Sequence, residues 1–75
     1  METREAYAKE QMRLLNIQDP GRRWPVEAVA AHWQTTPVTV WRKIRAQKLF
    51  AIKVGRQWLV PVAAIFSYEW DHRNM

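Results

Sequence analysis

The sequence predicts a mainly α-helical fold of the α+β class that contains one small β-hairpin. Two observations carry this prediction. Apolar residues recur at helical spacing in two neighbouring segments around Trp33 and Trp41, and β-branched and aromatic runs flank Gly55. The chain has 75 residues, of which 48% are hydrophobic, so it has the size of a single domain and is too apolar to stay disordered. Five tryptophans supply large side chains for the core of so small a protein.

The first predicted element is an N-terminal helix. Residues 2–16 are rich in Glu, Ala, Lys, Gln, Met, Arg and Leu, which are good helix formers. Its weak apolar stripe at helical spacing consists of Tyr7, Gln11, Leu14 and Leu15. The Asp-Pro-Gly turn sequence at 19–21 is expected to end this helix. We therefore divide the chain into an N-terminal helix and turn, residues 1–20, and a second part, residues 21–75.

The second predicted helix follows Trp24, with Pro25 in its first turn, where the missing N–H of proline is no loss. Its apolar residues recur at i, i+3, i+4 and i+7: Val26, Val29, Ala30 and Trp33. Gln34 and Thr35 then form a short link.

The third predicted helix begins with Thr36 as N-cap and Pro37 as first helical residue, and it runs through Arg45 or Ala46. Three of its residues are expected to point one way: Val40, Trp41 and Ile44. Three others are expected to point largely the other way: Thr39, Arg42 and Lys43.

A β-hairpin is predicted next, from strands at 49–54 and 57–60. The two residues between them begin with Gly55, which favours a type II′ turn because glycine adopts positive φ. Both faces carry apolar residues, so the pattern leaves open which face covers the core. Pro61 is expected to end the second strand. Residues 62–71 then predict a closing helix, whose inward side holds Val62, Ile65, Phe66 and Trp70.

Basic residues concentrate in the middle of the sequence. The net charge is +5, and residues 24–61 contain six Lys or Arg side chains against one acidic side chain, Glu27. Such a distribution is typical of a surface that binds phosphate groups. Charge alone leaves open the alternative that these residues only form a solvated face.

The order of elements from Trp24 onward is helix, tight turn, helix, hairpin, helix, and two helices joined in this way match the DNA-binding motif whose second helix enters the major groove. A closer likeness is carried by three stretches: Trp24-Pro25-Val26-Glu27-Ala28-Val29-Ala30, Thr36-Pro37-Val38-Thr39-Val40-Trp41-Arg42-Lys43-Ile44, and Leu49 with Ala51-Ile52-Lys53-Val54-Gly55-Arg56-Gln57-Trp58-Leu59-Val60-Pro61. On these residues, the part from 24 to 67 resembles the excisionase-type winged helix-turn-helix family, which is related to the MerR-type DNA-binding domain. The resemblance implies a winged helix-turn-helix preceded by an extra N-terminal helix, with the hairpin as the wing.

The sequence also departs from the family's pattern. Gln34 stands where the family usually has glycine in the turn between the helices. Pro37 and Val38 stand where basic residues often follow the N-cap, and Leu59 stands at an often basic position. At the tip of the wing, where the family often has a second glycine and an arginine, this chain has Arg56 and Gln57. The charge of the wing therefore depends on Lys53 and Arg56.

The candidate DNA-binding residues lie on the third helix and on the hairpin: Thr36, Thr39, Arg42, Lys43, Lys53, Arg56 and Gln57. Arginine bonds guanine O6 and N7 with two donors, whereas lysine acts as a point charge, so we expect Arg42 to read a base and Lys43 to contact phosphate. Thr36 is expected to cap the helix, whose amide end then meets a phosphate. Lys53 and Arg56 are expected to contact phosphate or the minor groove. A plain solvated surface is the alternative for each of them.

The tryptophans allow two interpretations. Trp33 and Trp58 are expected in the core, while Trp41 lies between the apolar and the exposed side of its helix. Base stacking, as in proteins that bind single strands, is the alternative. Trp70 is a candidate for a partner surface or for a packed ring.

The sequence argues against several other functions. It has no cysteine, and His32 and His72 lack the spacing of metal ligands. Ser67, Asp71 and His72 fall along one helix without an oxyanion donor, so we expect no catalytic triad and no enzyme. No apolar run approaches the roughly 20 residues that span a bilayer. We therefore expect a cytoplasmic, nucleoid-associated protein with no cofactor, no small-molecule ligand and no membrane partner.

The leading hypothesis is sequence-specific binding of double-stranded DNA by an excisionase-like recombination directionality factor of a phage or mobile element. The resemblance implies cooperative binding, DNA bending, self-association on DNA and an integrase or recombinase as partner. One alternative is a small transcription regulator that uses the same surface, with residues 2–16 as a dimer contact. Another is a protein-interaction module that binds a host or phage protein.

Overall fold

The computed structural model describes residues 2–72. The elements in chain order are α1 (Arg4–Leu14), β1 (Arg23–Pro25), α2 (Val26–His32), α3 (Pro37–Arg45), β2 (Ile52–Val54), β3 (Gln57–Pro61) and α4 (Val62–His72). Within these residues, the fold consists of four helices and a three-stranded antiparallel sheet with the strand order β1-β3-β2. The α+β class is therefore confirmed. None of the described helices has the length and apolar character needed to cross a bilayer.

Helix α1 begins at a side-chain cap and ends earlier than the sequence predicted. The Oγ1 atom of Thr3 accepts a hydrogen bond from the amide of Ala6 at 3.1 Å. The helix ends because Asn16 takes a left-handed conformation, φ 56°, and the amide of Ile17 donates to the carbonyl of Met12 at 2.8 Å. Asparagine tolerates this conformation better than most residues. The predicted ending at 19–21 was wrong, although a turn exists there in which Asp19 accepts from the amide of Gly21 at 2.8 Å.

The packed face of α1 also differs from the predicted stripe. Leu14 is 62% exposed and Leu15 is 38% exposed. Tyr7 packs against the core as predicted, but its neighbours there are Ala8 and Met12, which the predicted stripe did not include. Because the helix stops at Leu14 and turns at once, the next apolar residue to enter the core is Ile17.

The strand β1 was not predicted. Trp24 lies opposite Val60 of β3, and Pro25 lies opposite Leu59. Pro25 was expected in the first turn of the second helix, but it has an extended conformation, φ −65° and ψ 158°, and precedes the first helical residue, Val26. Proline is tolerated here because β1 is an edge strand, so one side of its backbone needs no ladder partner.

The hairpin is shorter on its first side than predicted. Strand β2 begins at Ile52, and Leu49, expected in the strand, is buried in the connection that precedes it. Gly55 has φ 63°, as the predicted type II′ turn requires of its first residue, and β3 ends at Pro61 as expected.

The sheet turns one face toward the helices. Trp24 lies opposite Val60, and Lys53 lies opposite Trp58. Side chains alternate along a strand and directly opposite residues share a face, so these four residues lie on one side. Val60 is fully buried, which identifies this side as the inner one. Trp24 and Trp58 are half-buried against the core.

The core lies between this sheet face and the helices α2, α3 and α4. Its buried members are Ile17, Val26, Val29, Ala30, Val40, Leu49, Val60, Val62, Ile65 and Phe66. The predicted inward residues of the second and closing helices are thus confirmed, except that Trp33 and Trp70 are half-buried. Helix α1 lies against α4, where the rings of Tyr7 and Trp70 have centroids 5.8 Å apart.

The tight turn between α2 and α3 depends on a left-handed residue. Gln34 has φ 55°, its amide donates to the carbonyl of Ala31, and the amide of Thr35 donates to the carbonyl of Ala30 at 2.9 Å. This pair of bonds ends α2 in a Schellman motif, which usually has glycine at the left-handed position. The turn thus has the left-handed conformation that usually requires glycine, although Gln34 occupies the position.

Replacing Gln34 with glycine is expected to raise the free energy of unfolding by about 0.5–1 kcal/mol. The left-handed conformation costs a residue with a side chain about 1–2 kcal/mol, and the substitution removes this cost. Glycine loses more backbone entropy on folding, which offsets about 0.5–1 kcal/mol of the stabilisation. Urea unfolding followed by tryptophan fluorescence measures the change. The matched control is Ala31→Gly, at an exposed helical position, which we expect to destabilise the protein. A destabilised Gln34→Gly variant would contradict the account of this turn.

Candidate nucleic-acid interface

Helix α3 begins with the cap that the sequence predicted. The Oγ1 atom of Thr36 accepts from the amide of Thr39 at 3.4 Å and lies 3.1 Å from the Oγ1 atom of Thr39. Pro37 follows in the first turn, and that turn contains no acidic residue. The amide end of the helix, with its partial positive charge, therefore has no acidic side chain of its own first turn to offset it.

The exposed side of α3 carries a row of three side chains, Val38, Arg42 and Arg45, which we call the α3 strip. They follow one another at i, i+4 and i+7, and so share one face of the helix. Val40, on the opposite side, is fully buried. Arg42 was predicted as a site residue, whereas Arg45 was missed. Its position three residues after Arg42 on an amphipathic helix was the signal that pointed to it.

A contact between two tryptophans joins α3 to the hairpin. The rings of Trp41 and Trp58 meet edge to face, with centroids 6.0 Å apart and planes at 86°. A groove runs between the two elements and is lined by Val38, Trp41, Arg42, Ile44, Arg45 and Trp58. The side chains of the α3 strip therefore lie beside the hairpin, and their position relative to it is fixed by packed rings.

The basic residues of the hairpin lie near the same helix. Lys53 shares the inner sheet face with Trp58, the residue that contacts α3. Arg56 follows Gly55 in the turn, and Gln57 is the first residue of β3. Arg56 and Gln57 line a second groove together with Trp41 and Trp58, in which Glu27 of α2 also takes part.

Lys43 lies on the other flank of α3. Its Nζ atom is 5.3 Å from the centre of the Tyr68 ring, a cation–π contact with α4. Thr39 lines the groove on this flank together with Lys43, Tyr68 and His72. Of the seven predicted residues, Lys43 and Thr39 therefore lie toward α4, and Lys53, Arg56 and Gln57 belong to the hairpin. Arg42 lines grooves on both flanks of α3. Thr36 stands at the start of the helix between them.

The basic side chains near the hairpin are free of carboxylate partners within residues 2–72. None of Arg42, Arg45, Lys53 and Arg56 forms an ion pair there. Acidic residues are engaged elsewhere: Asp71 binds Arg4 with an N–O distance of 2.6 Å, and Glu10 binds Arg13. Glu27 lines a groove with Arg56 but forms no ion pair with it, so positive charge outweighs negative charge along α3 and the hairpin.

A polar cluster that sequence reasoning missed surrounds Glu69 of α4. Its Oε1 atom accepts from the hydroxyl of Tyr7 at 2.9 Å, and its Oε2 atom accepts from Nε1 of Trp33 at 2.7 Å. The Nε2 atom of His32 lies 3.1 Å from the same Oε2. These four residues, the Glu69 cluster, link α1, α2 and α4 beneath the turn that leads into α3. Glu69 lies 36 or more residues from each of its partners in the sequence, so no local sequence pattern could predict these contacts.

Two of the three residues considered for a triad, Asp71 and His72, have other partners. The Nδ1 atom of His72 lies 2.8 Å from the carbonyl of Tyr68, and its ring stacks on that of Tyr68 at 4.0 Å. Asp71 binds Arg4 instead of a histidine. Residues 2–72 hold no group of three or more metal-ligating side chains.

Comparison with protein-family models, curated proteins and solved structures gives no match for this chain. What the site can do is inferred from its own side chains. Exposed guanidinium groups on a helix, beside a basic hairpin, can bind phosphate oxygens and base edges.

Proposed function

We propose that this protein binds double-stranded DNA in a sequence-specific manner as a winged helix-turn-helix. In this proposal α2 and α3 form the helix-turn-helix, α3 enters the major groove, and β2 with β3 forms the wing. One observation carries it: Arg42 and Arg45 lie on the exposed face of α3 and form no ion pair with any other residue between 2 and 72, and the Trp41–Trp58 contact holds that face beside the basic hairpin. An α-helix with its side chains is about 10–12 Å across, which fits the ~12 Å width of the major groove.

Each candidate residue has a contact suited to its chemistry. Arg42 is proposed to bond guanine with two donors, and Arg45 to bind phosphate or a neighbouring base edge. Thr36, Thr39 and Lys43 are proposed to contact the backbone along the α4 flank. The hairpin contacts are proposed for Lys53, Arg56 and Gln57, on the adjacent backbone or minor groove.

Within this function we propose an excisionase-like role in recombination. Several copies would bind repeated sites, bend the DNA and contact an integrase or recombinase, without any enzymatic step on this chain. Bending a site costs on the order of 1–6 kcal/mol, and the additional wing contacts offset that cost. The support for this role is the resemblance carried by residues 24–67. The proposed location is the nucleoid.

A transcription regulator with the same DNA surface is a second candidate, favoured by one observation. Leu14 and Leu15 leave an exposed apolar pair at the end of α1, on the segment that a dimer would use. A solution dimer that is lost on Leu14→Ser/Leu15→Ser substitution would favour the regulator. A monomer that binds DNA cooperatively only in the presence of repeated sites would favour the recombination role.

The experiment that tests DNA binding is fluorescence anisotropy of a labelled duplex from the gene's own flanking region, against a scrambled duplex, across a salt series. We expect preference for the native duplex and an affinity that falls with salt. Each neutralised phosphate contributes about 0.9 to the logarithmic slope, so backbone contacts from the four other basic side chains, Lys43, Arg45, Lys53 and Arg56, give about −3.6. No binding to either duplex at low salt would reject the proposal and favour a protein partner.

A further inference from the structure

Val38 is an apolar residue in the middle of a polar surface. It is 57% exposed, and it lies on the α3 strip with Arg42 and Arg45. Single exposed apolar residues are common on protein surfaces. Valine, however, is a poor helix former because its branched side chain loses rotamer freedom. At this position it adds little to the core, since the buried residue of α3 is Val40 on the other side of the helix.

The position of Val38 relative to Arg42 suits the reading of neighbouring base pairs. Residues at i and i+4 have Cβ atoms about 5–6 Å apart, which is less than two base-pair steps of about 3.4 Å. Val38 also lies in the first turn of its helix, the part of a recognition helix that meets base edges.

The side chain of Val38 offers two methyl groups and no hydrogen-bonding group. In the major groove only thymine presents a methyl group, at C5, whereas the exposed edges of the other bases are donors and acceptors. An apolar side chain against those polar edges would leave them without water or a partner, which is unfavourable. Thr39, the neighbour of Val38, has a hydrogen-bonding side chain, and its hydroxyl is engaged with that of Thr36.

We propose that Val38 reads the C5-methyl group of a thymine within two base pairs of a guanine bound by Arg42. This inference rests on the proposed DNA-binding function and names the base that the site prefers. It also gives a reason for an apolar residue in a row that otherwise holds arginines.

The test removes one methyl group at a time. The wild-type protein first selects its preferred duplexes from a random-sequence pool, and each thymine of the preferred site is then replaced singly by deoxyuridine, which lacks only that methyl. We expect one replacement to weaken binding about fourfold, corresponding to ~0.8 kcal/mol for one buried apolar carbon. For Val38→Ser we expect the thymine and deoxyuridine duplexes to bind equally.

The control is Ala63→Ser, which puts the same hydroxyl at an exposed apolar position on α4, outside every proposed contact, and should keep the fourfold discrimination. Circular dichroism verifies that both variants fold. Discrimination that survives in Val38→Ser, or a wild type that binds DNA without sensing any of the methyl groups, would overturn the inference and leave the proposed function standing. Failure of the wild type to bind any duplex would overturn both.

Discussion

Replacing Glu69 with alanine is expected to lower the free energy of unfolding by about 2–4 kcal/mol. The substitution removes the acceptor of the hydrogen bonds from Tyr7 and Trp33 and the partner of His32. Each hydrogen bond to a charged group contributes about 1.5–3 kcal/mol, but water replaces part of it because these groups are only partly buried. Thermal and urea unfolding measure the loss.

The control for this prediction is Glu10→Ala. Hydrogen bonds from Arg13 hold the pKa of the Glu10 carboxyl below its ordinary value, but both groups lie at the surface of α1. An exposed pair of this kind contributes little to stability, so the control is expected to unfold close to wild type. A Glu69→Ala variant as stable as the control would mean that the Glu69 cluster does not hold α1 and α2 to α4.

Replacing both arginines of the α3 strip with alanine is expected to reduce DNA affinity by at least two orders of magnitude. Loss of a bidentate contact to a guanine costs about 1–3 kcal/mol, and loss of a second charge removes a phosphate or base contact in addition. The logarithmic salt slope should become less steep by about 0.9 for each phosphate contact that is lost. Anisotropy titrations on the preferred duplex measure both quantities, and discrimination against a scrambled duplex should disappear.

A variant with the same change of charge elsewhere separates recognition from net charge. Lys9→Ala/Arg13→Ala removes two positive charges from the exposed surface of α1. We expect it to keep its preference for the native duplex and to lose affinity only slightly. Equal losses for the two double variants would show that overall charge, and not the α3 strip, governs binding.

The parts of the fold that local patterns encode were predictable. Val26, Val29 and Ala30 followed a helical period and are buried, and Thr36 with Pro37 marked the start of α3. Gly55 marked the turn of the hairpin, because only a residue that adopts positive φ suits that position.

The parts that depend on distant partners were not predictable in this way. Strand β1 has three residues, one of them proline, and it exists because β3 pairs with it across the sheet. The helix ends at Asn16, Gln34 and Gln47 use left-handed residues without glycine, so the usual sequence signal for a helix end is missing. The Glu69 cluster forms only when α1, α2 and α4 are packed together.

The candidate site was predicted in outline and refined by the packing. Arg42, Lys53 and Arg56 were expected to share a surface, and the Trp41–Trp58 contact supplies the link between helix and hairpin that the sequence did not show. Arg45 was missed although helical spacing placed it beside Arg42. Lys43 turns toward Tyr68 because it lies on the flank of α3 that faces α4.

Our central proposal is that α3 and the hairpin form one surface that binds double-stranded DNA. A titration of the ¹⁵N-labelled protein with its preferred duplex, followed by two-dimensional NMR, tests this claim most directly. We expect the backbone amide signals of residues 36, 38–45 and 53–57 to shift together and those of exposed α1 residues 4–6 to stay in place. Shifts confined to α1 and the exposed side of α4, with α3 and the hairpin unchanged, would contradict the claim.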